Sequence, residues 1–161
     1  MIRIMFICHG NICRSPLAEF VMKDLAARAG LASSVRIASS AVSPEELGNP
    51  IYPPVRRLLQ EHGVPFDASR TARLFHASEY NDWDLLIVMD HSNFRNLLRS
   101  CPDPEGKVHL LLDFTDRPGD VADPWYCGHF ERTWDDVLEG CTALLDRLIR
   151  DDRLSPGTHR P

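Results

Sequence analysis

FICHGNICRSPLAEFVMKDL, residues 6–25, is the stretch whose reading decides the fold. An apolar strand runs into a short loop holding Cys8, Gly10, Asn11, Cys13, Arg14 and Ser15, and a helix is expected from Pro16. A loop between a strand and a helix N-terminus can turn successive backbone N–H groups toward one point and so form an anion nest. A thiol at the strand end would face that nest from below, and an arginine at the helix start can fork onto two oxygens of an oxyanion. The residues predict a phosphate site with a nucleophile at its floor.

The rest of the chain supplies a scaffold for that loop. Residues 2–7 (IRIMFI) and 84–90 (DLLIVMD) are nearly continuous apolar runs, as in strands buried on both faces of a parallel sheet. Shorter strands are expected at 34–38 and 108–111, and helices at 16–29, 53–62, after residue 90 with Ser92 or Asn93 near the cap, and at 130–150. Strands alternating with helices predict an α/β fold: one domain over residues 1–150, an open, parallel, twisted sheet of about four strands with helices on both faces, in the flavodoxin-like or Rossmann-like three-layer manner. The 151–161 segment is expected to be a flexible tail.

Ligands of such sheets bind beyond the carboxyl ends of the strands. Cys8, Ser39, Asp90 and the turn-rich loop at 113–129 all follow strands, so topology allows them to meet at one edge. The net charge of −5 gives no basic field suited to nucleic acid or an anionic membrane, and no apolar run approaches a membrane span. The N-terminus does not read as a signal peptide, and the odd count of five cysteines shows no paired metal-ligand spacing. Free thiols, a cytoplasmic location and no cofactor or metal are therefore expected.

A lone strand cysteine is often an ordinary core residue. Followed by Gly10, Asn11, Arg14 and Ser15 in this order, Cys8 reads instead as a nucleophile whose thiolate is favoured by the N–H groups, the helix terminus and Arg14. Asn11 suits a left-handed loop position, Gly10 permits close approach, and Ser15 is placed to donate to the Cys8 sulfur. Cys13 reads either as a loop-packing side chain or as a resolving thiol for an oxidised Cys8. Asp123-Pro124-Trp125-Tyr126 is the second constellation. Asp-Pro alone is a common turn, but with the Cys8 loop it offers a proton donor for the leaving oxygen. Trp125 and Tyr126 would then form a rim for an aromatic substrate, or else pack their loop onto the domain.

CHGNICRSP at 8–16, DPWY at 123–126, VMDHSN at 88–93 and the closing helix resemble the low-molecular-weight protein tyrosine phosphatase family over nearly the whole chain. The resemblance implies Cys8 as nucleophile, Arg14 as phosphate clamp and Asp123 as general acid, then base. It implies a phosphate cradle of His9, Gly10, Asn11, Ile12, Cys13, Arg14 and Ser15, with Asn11, Ser15 and Ser39 as supports and Asp90 as a structural polar residue outside catalysis. The implied partners are tyrosine-phosphorylated proteins, with phosphate and other oxyanions as inhibitors. Glu45 stands where the family often has an aromatic pocket wall, beside Trp125 and Tyr126 at the substrate rim. Ile12 resembles the tyrosine-directed members, whereas threonine there marks relatives acting on phosphoarginine. A thioredoxin-coupled arsenate reductase resembles this fold and loop, but it relays through mid-chain cysteines and residues 14–100 contain none. A phosphoprotein-binding module without chemistry would not need Cys8, Arg14 and Asp123 together.

Overall fold

The computed structural model describes residues 1–154. Among these, four parallel strands, β1 (Ile2–Cys8), β2 (Val35–Ala41), β3 (Leu85–Val88) and β4 (Val108–Leu110), stand in the order β2-β1-β3-β4. The helices are α1 (Arg14–Arg28), α2 (Pro53–Glu61), α3 (His91–Ser100), α4 (Pro124–Cys127) and α5 (Phe130–Arg150). None of the described helices is long and apolar enough to cross a membrane.

β1 is central, and its alternation divides the core. Ile4, Phe6 and Cys8 join the larger cluster with residues of α1, α2 and α5, including Leu17, Leu59 and Leu144. Met5 and Ile7 point to the opposite face, among Trp83, Leu97 and Tyr80. Helices thus cover both faces, which is why β1 and β3 read as unbroken apolar runs. β1 pairs with β2 on one side and β3 on the other. The chain leaves the ends of these neighbouring strands in opposite directions, opening a crevice beyond Cys8.

Three elements differ from expectation by two residues or more at one end. β2 runs on through Ser39, Ser40 and Ala41, because Phe6, Ile7 and Cys8 of β1 pair with them. Their polar, small side chains carry no strand signal, so pairing overrides local propensity. β3 is trimmed at both ends by aspartates: Asp84 accepts the Arg3 backbone N–H at 2.8 Å, and Asp90, rather than Ser92 or Asn93, is the N-cap of α3, accepting from Asn93 N at 2.7 Å. α1 begins at Arg14, two residues before Pro16. Proline is accommodated there because the first backbone N–H groups of a helix have no intrahelical acceptor.

Of the expected tail, residues 151–154 are folded: Leu154 is buried in the larger core. Residues 155–161 lie outside the described residues.

Close packing between α5 and the 3₁₀ turn Leu111–Phe114 depends on Gly140. A Cβ there would overlap the end of the buried Leu111 side chain. Gly140→Ala is therefore expected to lower stability by about 1–3 kcal/mol, the usual range for overpacking, read as a lower urea midpoint with unchanged slope.

Candidate active site

The segment joining β1 to α1 wraps around the Cys8 sulfur. Asn11 is the loop's one left-handed residue, with φ 60°, and this turns its backbone N–H onto Cys8 Sγ at 3.3 Å. Ser15 Oγ lies 3.0 Å from the same sulfur. The Asn11 side chain is fully buried and braces the loop from beneath: Nδ2 donates to Ser15 Oγ at 2.8 Å and to Ser39 Oγ at 2.9 Å. Ser39 in turn donates to Glu19 Oε1 at 2.6 Å. The extension of β2 past residue 38 is what brings Ser39 here.

Arg14 is only 3% exposed although it is the cation of the site. Nη1 donates to Asp90 Oδ2 at 2.8 Å and to the Val121 carbonyl at 3.1 Å, while Nη2 donates to Asp123 Oδ2 at 3.3 Å. Burial works against its charge, but Cys8, Asp123 and Asp90 outweigh that and hold the guanidinium above its ordinary range. Asp90 is more than a helix cap. One oxygen caps α3 and the other accepts from Arg14 Nη1, so the start of α3 fixes the direction of the guanidinium.

Asp123 is held with similar care. Its Oδ1 caps α4 by accepting Trp125 N at 3.0 Å. The preceding Ala122 is tied to α5 at both backbone groups: its N–H donates to Asp136 at 3.1 Å and its carbonyl accepts from Thr133 Oγ1 at 2.8 Å. Val121 N donates to the Met89 carbonyl at 2.9 Å, anchoring the same segment to the end of β3. The Asp-Pro pair is thus a fixed support, not merely a turn.

These groups open into a cavity of about 420 Å³. Apart from Asn11, Ser15 and Ser39, which lie beneath the loop, every expected site residue lines it. His9 Nε2 and Glu45 Oε2 meet at 3.0 Å on one wall, where Glu46 also stands. Glu46 crowds Gly10 closely enough that a Cβ at Gly10 would lie 3.1 Å from its Cγ. The opposite wall is aromatic. Trp125 packs on Tyr52 with ring centroids 5.0 Å apart, and Tyr126 is 86% exposed. Trp125 therefore packs its loop while keeping a face to the cavity; Tyr126 is free to meet a ligand. Cys13 is buried at the lining, and burial, reinforced by the nearby Cys8 and Asp123 charges, pushes its thiol pKa far up. It is a protonated thiol at neutral pH.

Several partners carry no sequence signal. Arg70 grips Asn11 from a polar segment without periodicity, the Val121 carbonyl is backbone, and Glu46 reads only as loop. Asp90 did have a cue, a carboxylate directly after a buried strand, but that position suggests a cap and not a hold on Arg14.

The arrangement can seat a tetrahedral oxyanion over a sulfur, with backbone N–H groups and Arg14 around it and a carboxyl group facing the remaining ligand oxygen. Residues 3–154 match the model of the low molecular weight phosphotyrosine protein phosphatases. The chain is 34% identical to the low molecular weight protein-tyrosine-phosphatase PtpA of Staphylococcus aureus, over 98% of this chain and all of that one. Its fold superposes on YfkJ from Bacillus subtilis with a TM-score of 0.89 at 33% identity, covering 94% and 96% of the two chains. It also superposes on the YwlE arginine phosphatase with a TM-score of 0.82 at 26% identity, covering 94% and 99%. The chain belongs to the low-molecular-weight phosphotyrosine protein phosphatase family.

Proposed function

We propose that this protein hydrolyses phosphotyrosine in proteins, and aryl phosphates generally, through a phosphocysteine on Cys8. One observation carries the reading: Cys8 Sγ, Arg14 and Asp123 converge on a single cavity, with Arg14 bonded to Asp123 at 3.3 Å. In the first step the thiolate attacks phosphorus in line, an S–P bond forms, and the ester P–O bond breaks. The loop N–H groups and Arg14 hold the equatorial oxygens, and the protonated Asp123 gives its proton to the leaving phenolate. In the second step the Asp123 carboxylate takes a proton from water, whose oxygen attacks phosphorus and releases the thiolate. Ser15 then donates to the departing sulfur, and Asn11 and Ser39 keep the loop in shape. Every charge that develops has a partner in these side chains, so turnover is expected to persist in chelator. The free cysteines support residence in a reducing compartment such as the cytoplasm.

Asp123→Ala tests the acid role. Phenyl phosphate, whose leaving group needs a proton, is expected to slow about 10²–10³-fold in kcat, and substrates with good leaving groups about tenfold or less. Equal losses on both would remove Asp123 from that role.

Phosphoarginine is the second reading, favoured by the acidic wall of Glu45 and Glu46, which suits a guanidinium. Ile12 and the aromatic rim favour the aryl ester. Comparing kcat/KM on peptides of one sequence carrying either group decides between them, with phosphotyrosine expected to be the better substrate.

A further inference from the structure

Tyr52 stands at the start of α2, a position where Ser, Thr, Asp or Asn ordinarily caps a helix by accepting from its first backbone N–H groups. The Tyr52 side chain makes no such bond. None is needed. Pro53 and Pro54 have no N–H, and Val55 N donates to the Tyr52 carbonyl at 2.9 Å. The Tyr52 N–H leaves the helix altogether and reaches the Ile12 carbonyl at 2.9 Å. Backbone alone satisfies this helix end, so the side chain at position 52 is released for another contact.

Its ring turns to the Asp123 segment. It lies 5.0 Å from the Trp125 ring at a tilt of 55°, and 6.0 Å from the Phe130 ring at the start of α5. Both separations fall in the range of attractive aromatic pairs. On its N-terminal side Asp123 is anchored through Val121 and Ala122. On its C-terminal side α4 is a single turn in which Pro124 is buried and Trp125 to His129 are exposed. The Tyr52 ring is the aromatic surface on which this turn rests. Trp125 N donates to Asp123 Oδ1 at 3.0 Å, so the placing of Trp125 is passed directly to the carboxylate. Ile12 belongs to the loop around Cys8 and lines the cavity. Tyr52 thus touches both constellations of the site, one through its backbone and the other through its ring.

We propose that Tyr52 is a positioning residue for the proton transfer: as a strut between the Ile12 carbonyl and the Trp125 ring, it sets where the Asp123 carboxyl stands over the anion seat. This role rests on the reading of Asp123 as the proton donor. A donor has to lie within hydrogen-bond reach of the leaving oxygen, so freedom in α4 lowers the share of bound substrate that it can protonate. Loss of the ring falls on esters that need the proton and spares those that do not. The backbone bond to Ile12 survives a substitution at position 52, and the seat itself stays fixed by Arg14 and Asp90.

The test is the leaving-group dependence of kcat/KM, which reports the step that breaks the ester bond. Tyr52→Ala is expected to slow phenyl phosphate about tenfold and para-nitrophenyl phosphate less than about twofold, with phosphate inhibition changed less than about twofold. Tyr52→Phe keeps both ring contacts and is expected to restore the wild-type dependence. Tyr52→Leu keeps apolar bulk without an aromatic face, and is expected to slow phenyl phosphate about threefold. It carries the test should Tyr52→Ala fail to fold. In an Asp123→Ala background Tyr52→Ala should slow phenyl phosphate by less than about a further twofold, because it acts only through that carboxyl. Equal losses on the two esters, no loss in the folded variants, or a loss undiminished by Asp123→Ala overturns the strut and leaves Asp123 its role. An Asp123→Ala variant that slows both esters equally would instead overturn the reading of Asp123, and the strut with it.

Discussion

Cys8→Ser is expected to abolish turnover, with kcat on para-nitrophenyl phosphate reduced by at least about 10⁴-fold, while oxyanion binding survives. The two halves of this expectation have separate causes. A serine hydroxyl at the end of β1 has no base positioned to take its proton, and hydrogen bonds from the Asn11 N–H and Ser15 cannot ionise an alcohol, a far weaker acid than a thiol. The anion seat itself is built from other groups. Arg14 is fixed by Asp90 and Val121, and the loop is braced by the bond from the Asn11 side chain to Ser15, none of these bonds involving the substituted atom. Calorimetric titration with phosphate or vanadate should therefore show binding within about tenfold of wild type. Residual turnover above about one-hundredth of wild type would take the nucleophile's role away from Cys8.

Arg14→Lys is expected to produce the complementary result, a loss of kcat/KM of about 10³-fold together with loss of phosphate inhibition. A lysine ammonium is a single point of charge and cannot hold two equatorial oxygens while also meeting Asp90 and the Val121 carbonyl. Arg14→Ala goes further. It leaves Asp90 and Asp123 facing one another without the cation that both now bind, in a cavity already carrying Glu45 and Glu46. Because Arg14 is 3% exposed, its removal is also expected to cost about 3 kcal/mol or more of folding stability, read by urea denaturation. A Cys8 variant that binds but does not turn over, beside an Arg14 variant that does neither, separates chemistry from binding. Phosphate binding retained in Arg14→Lys would sink the clamp assignment.

The parts legible in the sequence are those where local pattern and tertiary role agree. β1, the Cys8–Ser15 loop and α5 were readable because a buried run, a motif of fixed spacing and a long amphipathic stretch each have one structural solution. β2 beyond Ala38 was not, since Ser39 and Ser40 are held in the sheet by pairing with β1 and by bonds to Asn11 and Met5, not by propensity. The same holds for Arg70. Its segment is polar and aperiodic, and a bond spanning 59 residues leaves no trace in spacing. Asp90 shows a third kind of gap: it reads as a structural polar residue, but a carboxylate has two oxygens, and sequence offers no way to see that one caps α3 while the other meets Arg14.

The pairing of Arg14 with Asp123 also bears on how a cycle of the proposed reaction would end. The carboxylate is tethered 3.3 Å from Arg14 Nη2, an arrangement equivalent to a local concentration on the order of millimolar or above. Newly formed phosphate and Asp123 then claim the same guanidinium nitrogen. In the proposed reaction each turnover would close with this intramolecular rival displacing the product, so the residue proposed to serve the leaving group would also clear the seat for the next substrate.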